Sequence, residues 1–324
     1  MCQFIDEHRH TFGVVPICRV LSAHGWQIAP RTYHAHQTRA ISQRALWDIT
    51  VTEVLAGIYD PQPAPTGEPA RKVPESLYGS RKMWAYLNRQ GITVARCTVE
   101  RIMAAHGWRG VTRARRVRTT VADPGHVRAA DLLNRDFTAV APNITAVSDF
   151  TYVSLTSGVF CYTAFVIDAF AGVITGWNCS QSKGVALVSG ALRDAGDYRR
   201  RQGHPMQGDT VAHSDAGSEY TAVHYTEAVF LEGMVPSIGT VGDAYDNALA
   251  ETTIGLYKTE CIRPGSPFRT GPLSSVSDVE NATAAWVHWY NTTRLTHRLG
   301  LIPPAEAEAT YYATKQNTRP VVHT

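Results

Sequence analysis

No run of about 18 uncharged apolar residues occurs anywhere in this 324-residue chain, which excludes a membrane-spanning helix. The first ten residues, MCQFIDEHRH, carry acidic side chains where a secretion signal needs basic ones, so a soluble, unexported, cytoplasmic protein is expected. Cysteine is sparse and scattered: Cys2, Cys18, Cys97, Cys161, Cys179 and Cys261 form no CxxC pair, which excludes a disulfide framework and a thiolate zinc site. Two HxH pairs, His8/His10 and His34/His36, lack a cysteine or carboxylate partner at ligand spacing and read as surface residues. What is present in quantity is apolar material. At 44% hydrophobic residues the chain can build packed cores, and its length favours two or three domains.

The net charge of +3 hides an asymmetry. Before and including Pro124 there are 17 basic against 9 acidic residues, and beyond it 14 against 19, so the two parts carry +8 and −5. A basic front joined to an acidic rear suits a protein that holds a polyanion with one part and needs carboxylates in the other.

Residues 1–59 show helical spacing, and DPQPAPTGEP opens a linker over 60–73 that no regular element can cross. Residues 74–120 contain two short helical patterns, Ser80–Gln90 and Ala95–His106, around a turn at Gly91. This is a helix-turn-helix candidate with Met83, Leu87, Ile92, Val99, Ile102 and Met103 inside and Arg81, Lys82, Arg89, Arg96 and Arg101 outside. Its tail crowds Arg109, Arg113, Arg115, Arg116 and Arg118 into ten residues without an acid, a density that fits contact with DNA phosphates.

After a second linker (121–143) the periodicity changes. Thr145–Leu155, Val159–Phe170 and Gly172–Ser180 are rich in β-branched and aromatic residues and predict an antiparallel meander. Alternating helix and strand follow: a helix at 182–202, strands at 210–215 and 235–239 flanking a helix at 222–233, and a helix at 246–261. The expected fold class is therefore α/β, a ribonuclease H-like mixed sheet (144–263) preceded by a small all-α helix-turn-helix region. Residues 264–324 are expected to give one helix, Val276–Tyr290, and an irregular polar tail.

Three acids fall where such a sheet converges: Asp149 in the first strand, Asp215 at the end of the fourth, and Glu251 on the late helix. Asp149 sits among apolar β-formers (AVSDFTYV), an expensive place for an unpaired charge. Like charges brought together repel unless a cation lies between them, and hard oxygen donors without a thiolate select Mg2+ or Mn2+. Two such ions roughly 3.5–4 Å apart suit displacement at a phosphodiester. Asn247, Glu251 and Lys258 share a helix face, within about 40° on a 3.6-residue wheel, which offers an amide and a cation to the same substrate. Asp168 ends the second strand just before a turn, and a turn-capping role is expected of it.

The phrases SDFTYV, FVIDAFAGVITGW, HSDAGSEYT, VGDAYDNALAETTIGLYKTE and YNTTRLTHRLGLIPP, with the helix-turn-helix segment before them, resemble the OrfB-type transposases of the insertion-sequence-three family. That family lies within the superfamily of DDE transposases and retroviral integrases. The 35 residues between Asp215 and Glu251 match the superfamily's spacing. Alanine at 216 departs from the polar residue common there. The resemblance implies a magnesium-dependent enzyme of DNA transposition, integration and recombination that cleaves insertion-sequence ends and transfers strands, a DNA 3′-hydroxyl being the nucleophile. It carries Asp149, Asp215 and Glu251 over as metal ligands and Lys258 as a DNA contact. It implies partners as well: terminal inverted repeats and target DNA, a homodimer or higher oligomer in a synaptic complex, and an upstream-frame OrfA product. Two other readings stay open, a metal nuclease that cuts without joining and a domesticated DNA-binding regulator.

Overall fold

The computed structural model describes residues 1–63, 70–112, 139–215, 218–238 and 248–317. The chain divides into two compact units at Val54/Leu55.

In the first unit α1 (Cys2–Phe12), α2 (Val14–Ala23) and α3 (Pro30–Thr38) enclose Ile5, Ile17, Cys18, Ile28 and Tyr33. The Tyr33 hydroxyl donates to Asp6 at 2.6 Å and accepts from Arg9 at 3.2 Å, so the one polar group in this small core is satisfied. Helix α4 (Gln43–Tyr59) leads into the second unit.

The second unit starts with α5 (Ser80–Arg89) and α6 (Arg96–Ala105), the helix pair expected from the sequence. Gly91 between them has φ +80°, a conformation that favours glycine. Met83, Leu87, Val99, Ile102 and Met103 are buried as expected, while Ile92 is half-exposed. Lys82 differs from expectation: it is half-buried, and desolvation, with Arg294 nearby, pushes its pKa down to about 8.

Five strands follow, β1 (Thr145–Ser154), β2 (Phe160–Asp168), β3 (Ile174–Ser180), β4 (Thr210–Ser214) and β5 (Met234–Ile238), in the order β3-β2-β1-β4-β5. The first three form the antiparallel meander, whereas β4 pairs parallel to β1 and β5 parallel to β4. This is the mixed sheet of a ribonuclease H-like fold. Helices α7 (Val185–Arg201), α8 (Ser218–Thr221) and α9 (Val223–Leu231) cover the face carrying Ala146, Ala164, Val166 and Ala212. The approach of α7 is so close that a Cβ on Gly176 would collide with the Ala191 carbonyl oxygen. On the opposite face, α10 (Ala248–Tyr257) and α11 (Val276–Thr292) pack through Tyr257 and Trp286 on Phe165. The Tyr257 hydroxyl bridges Thr163 of β2 and Thr283 of α11 at 3.2 and 2.8 Å.

The polar tail needs correction. Residues Pro304–Asn317 form a further helix, α12. Its alanines, glutamates and lysine are strong helix formers behind a proline suited to a first turn. What holds it down is polar: Glu308 is buried in a two-pronged ion pair with Arg199 at 2.7 and 2.9 Å. Tyr312 stacks on His204 with ring centres 3.7 Å apart. Arg199 also bonds Asp168 at 2.9 Å. Asp168 caps its turn, accepting from the backbone of Asn143 and Phe170, and is the third member of this buried knot. Among the described residues no helix is long and apolar enough to cross a membrane.

Candidate active site

Parallel pairing of β1 with β4 puts Ser148 opposite Ser214. Asp149 is the next residue in β1 and Asp215 the first past the end of β4, so the register brings the two positions close on neighbouring strands, whose spacing is about 4.8 Å. Asp149 is half-buried and Asp215 exposed. Asp149 pairs with Phe165 across the antiparallel β1–β2 ladder, which turns its side chain to the face covered by α10 and α11. Its Oδ1 accepts the Phe150 N–H at 2.8 Å, a bond that restricts the carboxylate's rotation. Burial pushes the Tyr220 hydroxyl well above the usual tyrosine range, and the charges of Asp149 and Asp215 push it further. Tyr220 itself packs against Phe150 and Tyr225 on the α7–α9 face, near enough to feel both acids; sequence reasoning missed it, and its place five positions after Asp215 in HSDAGSEY was the available signal.

Glu251 lies in the first turn of α10, half-buried, on a helix that packs against both β1 and β2. The helix begins directly after residues 239–247, which, Asn247 among them, lie outside the described residues. The helix expected to run unbroken to Cys261 changes to a π turn at Lys258–Ile262. Within that turn Glu260 points inward, paired with Arg294 at 2.6 Å and accepting from the Trp286 indole at 3.2 Å. Lys258 is exposed, with its Nζ 4.5 Å from the ring centre of Tyr152, three residues beyond Asp149 on β1. Arg109 is exposed behind α6, while Arg113, Arg115, Arg116 and Arg118 fall outside the described residues.

The donor chemistry suits a hard divalent cation: carboxylate oxygens, no thiolate, one acid within β1 and a second just past the end of its parallel neighbour β4. Among the described residues no group of three or more His, Cys, Asp or Glu side chains is arranged to hold a metal ion. The register brings positions 149 and 215 near one another, and Glu251 lies on a helix packed against β1 and β2. Asp168 offers no comparable site, since its oxygens already serve Arg199 and two backbone amides.

Residues 72–116 match the HTH-like domain family, and residues 139–244 and 232–304 each match an integrase core domain family. The chain is 42% identical over 322 residues to the transposase for insertion sequence element IS629 of Shigella sonnei, covering 98% of each. It is 45% identical over 289 residues to a Mycobacterium tuberculosis protein assigned as the transposase for insertion sequence element IS986/IS6110, covering 89% of this chain and 98% of that one. Among solved structures, it is similar to a chain of the simian T-cell lymphotropic virus intasome in complex with PP2A regulatory subunit B56 gamma. The TM-score there is 0.44 at 16% identity, over 74% of this chain and 72% of that one.

Proposed function

The chain belongs to the integrase-core transposases of insertion sequences, the OrfB type of the insertion-sequence-three family, and from that premise we propose how its residues perform DNA strand transfer. Asp149, Asp215 and Glu251 are the catalytic carboxylates and the ligands of two divalent cations, Mg2+ or Mn2+. Such ions, when bound, activate an attacking oxygen and stabilise a departing one at a phosphodiester. The single observation that supports this reading is the parallel β1–β4 register, which stations two acids side by side where an apolar surround makes uncompensated charge costly.

The chain's own side chains do the positioning. The Phe150 N–H holds the Asp149 carboxylate. Lys258, in the π turn that ends α10, is a cation for the DNA backbone, and Asn247 is a second DNA contact. Arg109, Arg113, Arg115, Arg116 and Arg118 hold the flanking duplex through its phosphates. The partners are the element's terminal inverted repeats and target DNA. Pairing of two ends calls for at least a dimer, with an upstream-frame OrfA product as a further partner, all in the cytoplasm.

Incubating purified protein with labelled element ends and magnesium tests this reading. Joined products are expected. Ends that are cut and never joined would leave a nuclease, and no reaction in either metal would remove the enzymatic assignment.

A further inference from the structure

We propose that the helix-turn-helix is bolted to the catalytic core, so that the chain measures a fixed distance and rotational phase from the DNA it grips to the end it processes. This rests on the strand-transfer reading above. The observation behind it is a set of contacts joining α5 and the residues before it to the segment after α11. The Tyr78 hydroxyl donates to the Thr293 carbonyl at 3.3 Å and accepts the Leu295 N–H at 3.0 Å. The Trp289 indole N–H donates to the buried Glu75 carboxylate at 3.0 Å, and its ring lies against Tyr78 at 5.9 Å. At the other end of α5, Arg89 grips Glu306 of α12 with two bonds.

These contacts are built as an interior is built, with aromatic rings over satisfied polar groups, and they span more than 200 residues of sequence. They also continue into the active-site helix. Burial, with the Arg294 charge nearby, depresses the Lys82 pKa, and Arg294 is locked to Glu260 in the π turn that ends α10. From Glu251 to Glu75 the path thus runs through α10, the Glu260–Arg294 pair and the 293–295 backbone. Because α5 is occupied in docking, α6 is the helix left to face DNA, with Arg96, Cys97 and Arg101 exposed along it. Glu75, Tyr78 and Trp289 are accordingly positioning residues, not DNA contacts.

A phasing experiment on the full chain tests this. Footprinting first locates the duplex covered by the helix-turn-helix on an element end. Five or ten base pairs are then inserted between that patch and the terminal nucleotide. Five base pairs rotate the two sites by about half a turn and shift them by about 17 Å. The native chain should lose at least ten-fold in joining with five inserted pairs and recover part of it with ten. A Glu75→Ala/Tyr78→Phe variant should show an insertion penalty within two-fold of none. Should that variant fail to fold by thermal melting, Arg89→Ala/Glu306→Ala, at an exposed pair, is used in its place. Native joining indifferent to the five-pair insertion, or a variant keeping the full penalty, would overturn the proposal. If even the unmodified end is not joined, the strand-transfer reading fails alone. The footprints still decide this one: a bolted chain keeps its two protected patches at constant separation on the lengthened DNA, and an unbolted chain lets each follow its own sequence.

Discussion

Replacing Arg199 with methionine removes the arginine that bonds both Asp168 and Glu308 while keeping a long apolar stem in place. Arg199 has no exposed surface, and the two acids are 2% and 5% exposed, so neither acid can turn to water for compensation. Breaking a buried pair from one side costs about 3–5 kcal/mol, because a charge is left behind without its partner. For a unit of this size that corresponds to a fall in melting temperature on the order of 10 °C. The deficit has a pH signature. Burial already raises the Asp168 pKa to about 6 even with Arg199 pulling it down and Glu308 pushing it up. A carboxyl raised in the folded state contributes stability that is present below its unfolded pKa and is lost as pH rises through the folded one. Without Arg199 the folded pKa rises further, so protonation starts to relieve the variant at a higher pH than in the native chain. Urea unfolding of both proteins at pH 8 and pH 5 should therefore give a large difference at pH 8 that shrinks at pH 5. A difference below about 1 kcal/mol, or one of equal size at both pH values, would refute the reasoning.

Asp149→Asn should abolish joining and leave duplex binding intact. Its melting temperature should be equal to or above the native one, because a charge beside Asp215 has been removed; retained joining would dismiss Asp149 from the site. Gly176→Ala should cost about 1–3 kcal/mol in thermal unfolding, since its Cβ would meet the Ala191 carbonyl and the Ala195 amide where α7 crosses β3. Changing Arg113, Arg115, Arg116 and Arg118 to glutamine should flatten the slope of log affinity against log salt by about 3–4. An unchanged slope would make the tract a linker only.

The helix-turn-helix and the strands were legible because their signals are local. A glycine at positive φ stops α5, apolar residues recur at helical spacing on α5 and α6, and alternating β-branched residues end at Gly-containing turns. Asp149 stood out as a charge inside an apolar strand, although its adjacency to Asp215 exists only through a parallel pairing 66 residues long in sequence. The misses share one physical cause. Glu308, Arg199, Glu260 and Arg294 are buried by pairing with one another, and a charged residue destined for such a pair looks like a solvated one in sequence. Helix α12 and the π turn were missed for that reason, and so was the inward face of α5. Tyr220 was hidden differently, as one aromatic residue among the chain's 14 tyrosines.

Substituting cysteine for Asp215 tests the central assignment most directly, because a thiolate in place of a hard oxygen donor changes which metal the site accepts. Asp215→Cys should leave labelled ends unjoined in magnesium and restore joining in manganese. If the variant joins ends in magnesium at the native rate, Asp215 is not a metal ligand and the carboxylate site described above is wrong.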